Sequence, residues 1–230
     1  DWEGNFWIAT YGKGIAFLVD ETFTMHYQNI DEFNGNILSI AESKDYLWYG
    51  GEGLIARINK ENNELIILNK QNGLTDDKIV ALYLDQNENL FIGREENGIY
   101  QLKANSNKIS IYYKSNNSLG NKINSIVGNN SKMFAGTKTG VLEFDLKTGE
   151  QTLYNTSKGL PHNNIRSIHI DSDNQAWVAT KSQGIFSLDN ELNYPIESNI
   201  NFEFTSITED KNGNIWAATY GDGVFKFDQD

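Results

Sequence analysis

Asp210-Lys211-Asn212-Gly213-Asn214-Ile215-Trp216-Ala217-Ala218-Thr219-Tyr220-Gly221-Asp222-Gly223-Val224 restates, near the end of the chain, the words with which it begins, DWEGNFWIATYGKGI from Asp1 to Ile15. At an offset of 209 residues the two segments share Asp, Gly, Asn, Trp, Ala, Thr, Tyr, Gly and Gly at matching places. Chance does not supply that agreement, so the chain is built from an internal repeat.

Worn copies lie between the two ends: Asp45-Tyr46-Leu47-Trp48-Tyr49-Gly50, Asn89-Leu90-Phe91-Ile92-Gly93-Arg94, Lys132-Met133-Phe134-Ala135-Gly136-Thr137 and Gln175-Ala176-Trp177-Val178-Ala179-Thr180. One aromatic anchors each copy. The anchors Trp7, Trp48, Phe91, Phe134, Trp177 and Trp216 are spaced by 41, 43, 43, 43 and 39 residues. A period near forty with strand-like content is the signature of a β-propeller. The expected fold is therefore all-β, a propeller of four-stranded blades made from six repeats of which the first and last are incomplete. Residues 1–230 form a single propeller domain or six consecutive repeats of a larger array.

The repeat from Asn164 to Ser198 shows its parts best: Ile165-Arg166-Ser167-Ile168-His169-Ile170, Ala176-Trp177-Val178-Ala179-Thr180, Gly184-Ile185-Phe186-Ser187-Leu188 and Leu192 to Glu197, punctuated by Asn, Asp, Gly and Ser. We label these strands a to d. The first unit holds b, c and d, four complete units follow, and the last holds a, b and c. In strand a, only Ser or Ala follows the apolar-any pair, at Ser39, Ala81, Ser125, Ser167 and Ser206. Adjacent sheets converge there, and a larger side chain would overpack. In strand b the aromatic is followed by small residues, so that a broad ring lies between blades while the next sheet approaches. Gly14, Gly53, Gly98, Gly140, Gly184 and Gly223 introduce strand c, a placement that predicts a positive φ after the b-to-c turn.

Bulk properties narrow the function. The net charge is -12 and the 19 Lys and Arg are scattered singly, which excludes a basic stripe for nucleic acid. Without cysteine there is no disulfide, thiolate zinc site or cysteine nucleophile. No run approaches the roughly 18 apolar residues of a membrane helix, so this segment is not expected to insert directly. The chain begins inside a repeat and without Met, which reads as a mature segment or a piece of something longer.

The unit N-x-I-x-S-I, then D-x-x-G-N-[LIF]-W-[IVA]-[AG]-T, then G-[LIV], resembles the two-component regulator propeller repeat. Asn164 to Leu188 and Asp210 to Val224 carry the likeness best, and Lys158-Gly159-Leu160-Pro161-His162-Asn163-Asn164-Ile165 resembles the family's linker into strand a. The resemblance implies the periplasmic sensor region of a hybrid two-component system of the Bacteroidetes kind, sensing oligosaccharides without performing chemistry on them. It implies neighbouring domains of the same signalling protein, or a homodimer, as partners, and no cofactor. The alternatives are a protein-interaction scaffold and a glycan-cleaving lyase or glycosidase. Gly-His and Trp-Asp signatures of WD repeats are missing, as is the double glycine of kelch repeats. The sialidase Asp-box is approached at Thr208 to Trp216 but with an extra residue between Asp and Gly.

Motifs for chemistry are sparse. Asp171-Ser172-Asp173-Asn174, Asp85 to Asn89 and Asp210 to Asn214 open like calcium loops but lack the later Gly and Glu. They read as a-to-b turns whose side chains bond the turn backbone, and no metal site is expected. His26, His162 and His169 share no spacing; His169 is expected to pack between blades, whereas His162 lies in a d-to-a loop and is a ligand candidate. The b-to-c tips vary while the blades repeat, which marks positions freed from structural duty. From them come the candidate ligand residues: Tyr11 and Tyr220 for stacking on a sugar face, Arg94, Lys138 and Lys181 for a sulfate or uronate, Asn97 and Gln183 for hydroxyls, with Lys13, Glu95 and Asp222 beside them.

Overall fold

The computed structural model describes residues 36–188 and 202–227, together with the backbone of the strands Phe6–Thr10, Gly14–Val19, Thr22–His26 and Asn193–Tyr194. These residues form six antiparallel meanders with 22 strands, arranged as b-c-d, four times a-b-c-d, and a-b-c. Blade 1 comprises the first three of those strands. Blade 2 holds Ser39–Glu42, Tyr46–Gly50, Ile55–Asn59 and Leu65–Leu68; blade 3 holds Ile79–Leu84, Leu90–Arg94, Ile99–Leu102 and Ile109–Tyr113. Blade 4 holds Ile123–Gly128, Lys132–Thr137, Val141–Asp145 and Gln151–Tyr154; blade 5 holds Ile165–Ile170, Ala176–Thr180, Ile185–Ser187 and Asn193–Tyr194. Blade 6 ends the series with Phe204–Glu209, Ile215–Thr219 and Val224–Phe227. The chain divides into two compact units of three blades each, Asp1–Lys114 and Ser115–Asp230.

The repeated residues owe their places to the packing of one blade on the next. Trp48 joins Ile55 and Leu68 of blade 2 to Ile79, Leu82, Leu90 and Ile92 of blade 3 in one buried cluster. Phe134 and Val141 of blade 4 meet Ile165, Ile168 and Val178 of blade 5, and Trp177 of blade 5 meets Phe204, Ile207 and Ile215 of blade 6. Each described anchor ring in these clusters therefore faces the following blade. Burying a ring of this size contributes about 2–3 kcal/mol. The small residue after the anchor is required by the same contact: a Cβ at Gly136 would stand 2.8 Å from Ile165 Cγ2.

Strand a shows why its phrase has the form apolar, any, small, apolar. The pairing with strand b shifts register between Ile79 and Ala81, Ile123 and Ser125, Ile165 and Ser167, and Phe204 and Ser206. The unconstrained position is the extra residue of a β-bulge and leaves the ladder. Sterics is only half of the reason for serine at the small position. Ser39 Oγ donates to Ile79 O at 2.9 Å, and Ser125 Oγ accepts from Ile168 N–H at 3.3 Å, so the hydroxyl also ties strand a to strand a of the next blade. Gly53, Gly98, Gly140, Gly184 and Gly223 all have positive φ, as their position before strand c predicts.

The a-to-b turns are capped as expected. Asp85, Asp171 and Asp210 each accept through Oδ1 from the backbone N–H groups two and four residues on, at 2.8 to 3.1 Å. Among the described residues no helix is long and apolar enough to cross a membrane.

Candidate ligand-binding site between blades 2 and 3

The Asp of the a-to-b turn has a second task in blades 5 and 6. Its other oxygen, Oδ2, accepts the indole N–H of the anchor, Trp177 to Asp171 and Trp216 to Asp210, each at 2.7 Å. This satisfies the one polar atom of the ring, which in blade 5 is packed between two sheets. Hydrogen bonds from the Asn214 amide and then the Trp216 indole hold the Asp210 carboxyl far below the usual carboxylate range.

Blade 2 breaks the pattern. Its a-to-b turn is one residue shorter, and Ser43, whose N–H donates to Tyr46 O, stands where Asp171 and Asp210 stand in their blades. The Ser43 hydroxyl accepts the Tyr46 N–H at 3.2 Å and does not reach the indole. Glu42, the nearest carboxylate before it, is held by Lys60 Nζ at 2.5 Å. Trp48 is 4% exposed, and its Nε1 has no hydrogen-bond partner.

Strand c changes at the same level. Directly across from the anchor stand Phe17, Arg57, Gln101, Glu143, Ser187 and Lys226 in blades 1 to 6. Arg57 lays its guanidinium over two rings, with Cζ 4.8 Å from the Tyr46 centroid and 5.3 Å from that of Trp48. Tyr46 and Trp48 lie two residues apart on one side of strand b, 6.2 Å between centroids and tilted by 58°. Arg57 Nε is buried and, like the indole, has no hydrogen-bond partner.

These groups line a cavity of about 330 Å³ between blades 2 and 3. Lys44 and Asp45 of the short turn close it on the blade 2 side. Blade 3 supplies Asn87 and Glu88 from its a-to-b turn, and Leu102 with residues 103–106 from its c-to-d turn. Left-handed backbone at Glu88 (φ 61°) and Asn105 (φ 58°) shapes both turns. The lining thus combines two aromatic rings, three cations, two carboxylates and neutral hydrogen-bonding groups, the mixture found where polar ligands are oriented on an apolar floor.

The described residues among those singled out from the sequence lie at the other end of their blades, in b-to-c tips and d-to-a loops. Tyr11 and Lys13 fall outside the described residues. Arg94, expected at an exposed tip, is instead 0% exposed. It replaces the Thr of blades 4, 5 and 6 (Thr137, Thr180, Thr219), whose Oγ1 bonds the carbonyl of the Gly before strand c. Its Nη2 donates to Thr75 O at 3.0 Å and Thr75 Oγ1 at 2.6 Å, and its Cζ lies 4.7 Å from the Tyr100 centroid. Burial, opposed by Asp77 and Tyr100, lowers its pKa. Arg94 therefore staples the d-to-a loop to blade 3 and has no face for an external sulfate. Asn97 Nδ2 donates to Asp77 Oδ2 at 2.9 Å and Glu95 lies 3.4 Å from Lys78 Nζ, in the same knot.

His162 Nδ1 accepts the Asn164 N–H at 3.0 Å and caps its own loop. Lys138, Lys181, Gln183 and Asp222 are exposed on the tips of blades 4 to 6, and Tyr220 is 79% exposed. Among the described residues no three His, Asp or Glu side chains are grouped to hold a metal ion. Variation among the copies is not confined to the tips: blade 2 departs from the repeat at Ser43 in its a-to-b turn, Tyr46 in strand b and Arg57 in strand c.

Comparison with known proteins bears on this architecture. The family model described as the N-terminal β-propeller domain of PorZ, TSS9, matches residues 47–217. Among solved structures, the extracellular domain of a putative hybrid two component system from B. thetaiotaomicron is 24% identical, with a TM-score of 0.76 over 95% of this chain. That of a putative one component system from the same organism is 22% identical, with a TM-score of 0.79 over the whole chain. This chain spans 31% of the length of each. A streptogramin B lyase shares the fold at 14% identity and a TM-score of 0.75, with the whole of this chain covering 81% of the enzyme. No curated protein matches.

Proposed function

The chain belongs to the PorZ N-terminal β-propeller family, and from that premise we propose that it is a non-catalytic, extracytoplasmic sensing module that captures an oligosaccharide between blades 2 and 3. The observation that carries this reading is the cavity, where a buried indole N–H and a guanidinium Nε are left without partners, although blades 5 and 6 satisfy the same indole donor. Buried donors without partners cost stability. Their retention in a lined cavity is explained by a ligand that completes them.

The fold shared with extracellular domains of putative signalling systems supports the placement outside the cytoplasm, and the compartment proposed is the periplasm. In this reading the exposed tips with Lys138, Lys181, Gln183, Tyr220 and Asp222 serve contacts with neighbouring domains of the same signalling protein. Thermal melting of the full chain against a panel of neutral, uronic and sulfated oligosaccharides tests the proposal. A saccharide at about 100 times its Kd adds roughly 2.7 kcal/mol and raises Tm by several degrees. Silence across the panel, with capture of a protein instead, replaces the sensor with an interaction scaffold. Conversion of any saccharide in the panel overturns the non-catalytic reading and turns attention to the lyase that shares the fold.

A further inference from the structure

We infer that the cavity between blades 2 and 3 is built for a carboxylate, that of a uronic acid residue in the captured oligosaccharide. The inference rests on the oligosaccharide reading above and adds the chemical group that is recognised. The repeat itself supplies the argument. In blades 5 and 6 the anchor indole donates to a carboxylate at 2.7 Å, and in blade 5 it does so from a ring buried against the next blade, so the chain itself shows what completes this donor between two blades. In blade 2 the indole is kept, buried like that of Trp177, while the position of the internal carboxylate is taken by Ser43. The missing half of the pair is an acid brought from outside.

A second donor stands beside the first. Trp48 and Arg57 are direct cross-strand partners, and Arg57 Cζ lies 5.3 Å from the Trp48 centroid with Nε unpartnered. Two N–H donors on adjacent strands suit the two oxygens of one carboxylate, and guanidinium is the cation that best matches that plane. The local charge agrees: Lys44, Arg57 and Lys103 outnumber Asp45 and Glu88 in the lining, in a chain whose net charge is -12. A cavity of about 330 Å³ is larger than a lone carboxylate needs, and Asn87, Asn105 and Ser106 offer amides and a hydroxyl for the hydroxyls of a sugar ring.

The test is calorimetric titration of the full chain with trigalacturonate and with the trisaccharide obtained by reducing its carboxyl groups, with triglutamate as the peptide comparison. The expected result is that trigalacturonate binds at least tenfold more tightly than the reduced sugar and than triglutamate. Trp48→Phe, which keeps a ring but removes the N–H, and Arg57→Gln each weaken trigalacturonate about tenfold, the loss of one hydrogen bond to a charged group. Trp216→Phe, which removes an indole N–H already committed to Asp210, leaves the affinity unchanged. If the acidic and reduced sugars bind alike and Trp48→Phe has no effect, the carboxylate assignment fails while oligosaccharide capture stands. Failure of both sugars, and of every saccharide in the melting panel, removes both readings. Binding of triglutamate as tight as trigalacturonate, and equally sensitive to Trp48→Phe, overturns the sugar in favour of an acidic peptide. The comparison of the two sugars on the unaltered protein decides the matter even if a variant fails to fold.

Discussion

Replacing Trp by Phe at two equivalent places should cost very different amounts of stability, and the difference measures the unpartnered indole. Trp177 and Trp48 are both strand b anchors, 1% and 4% exposed, each packed against the following blade. Truncation to Phe removes nearly the same buried area from each, so the packing losses almost cancel in the comparison. What remains is the N–H. In Trp177→Phe the 2.7 Å bond to Asp171 Oδ2 is lost and a buried carboxylate oxygen is orphaned, a cost of about 1.5–3 kcal/mol for a bond to a charged group. In Trp48→Phe no bond is lost and a buried donor without a partner disappears, a relief of about 1 kcal/mol or more. Trp177→Phe is therefore expected to be less stable than Trp48→Phe by about 2–4 kcal/mol. With roughly 2–4 °C per kcal/mol for a chain of this size, the two melting temperatures should differ by about 5–15 °C. Urea and thermal unfolding of both variants, without saccharide, provide the measurement. Equal destabilisation would refute the reasoning, because it would mean that the Trp48 N–H is as well satisfied as that of Trp177.

Three further outcomes are expected. Gly136→Ala should destabilise by about 1–3 kcal/mol in urea unfolding, because its Cβ would stand 2.8 Å from Ile165 Cγ2; Gly149→Ala, with no atom near its Cβ but a φ of 76°, loses stability through the backbone instead. Arg94→Ala should cost about 2–4 kcal/mol and leave saccharide affinity intact, whereas Arg94→Met, which keeps the stem and sheds a desolvated charge, should cost much less. The His169 pKa lies below the ordinary 6.5, chiefly through burial and against the pull of Glu209 and Asp171. Its contribution is therefore fully present above pH 6.5 and is lost as pH falls through the folded-state value, since the unfolded chain then binds the proton more readily. Unfolding free energies between pH 5 and 8 should show a slope near and below pH 6.5 that is reduced in His169→Gln.

Periodicity alone determined the architecture. The anchors recur because a ring such as Trp48, Phe134 or Trp177 packs on the following blade, and the Gly before strand c recurs because each blade turns in the same way. A constraint repeated from copy to copy is legible without coordinates. The a-to-b turns of blades 3, 5 and 6 were legible for the same reason, since an Asp at a fixed offset caps the same backbone donors in each. Departures from the repeat behave differently, because a departure signals freedom, ligand contact or a local staple without saying which. Arg94 varies and is polar, yet it is buried against Thr75 and Tyr100, and only the distance from strand b of blade 3 to the preceding d-to-a loop reveals that. Arg57 varies as well, but its meaning depends on Tyr46 and Trp48 across the ladder and on turns of blade 3 that lie 30 to 49 residues further along the chain. Hydrogen-bond satisfaction is a property of atoms that meet in space. The sequence records that blade 2 carries Ser43 where blades 5 and 6 carry Asp, and the tertiary structure decides that this leaves a buried donor without a partner on a ring that lines a cavity.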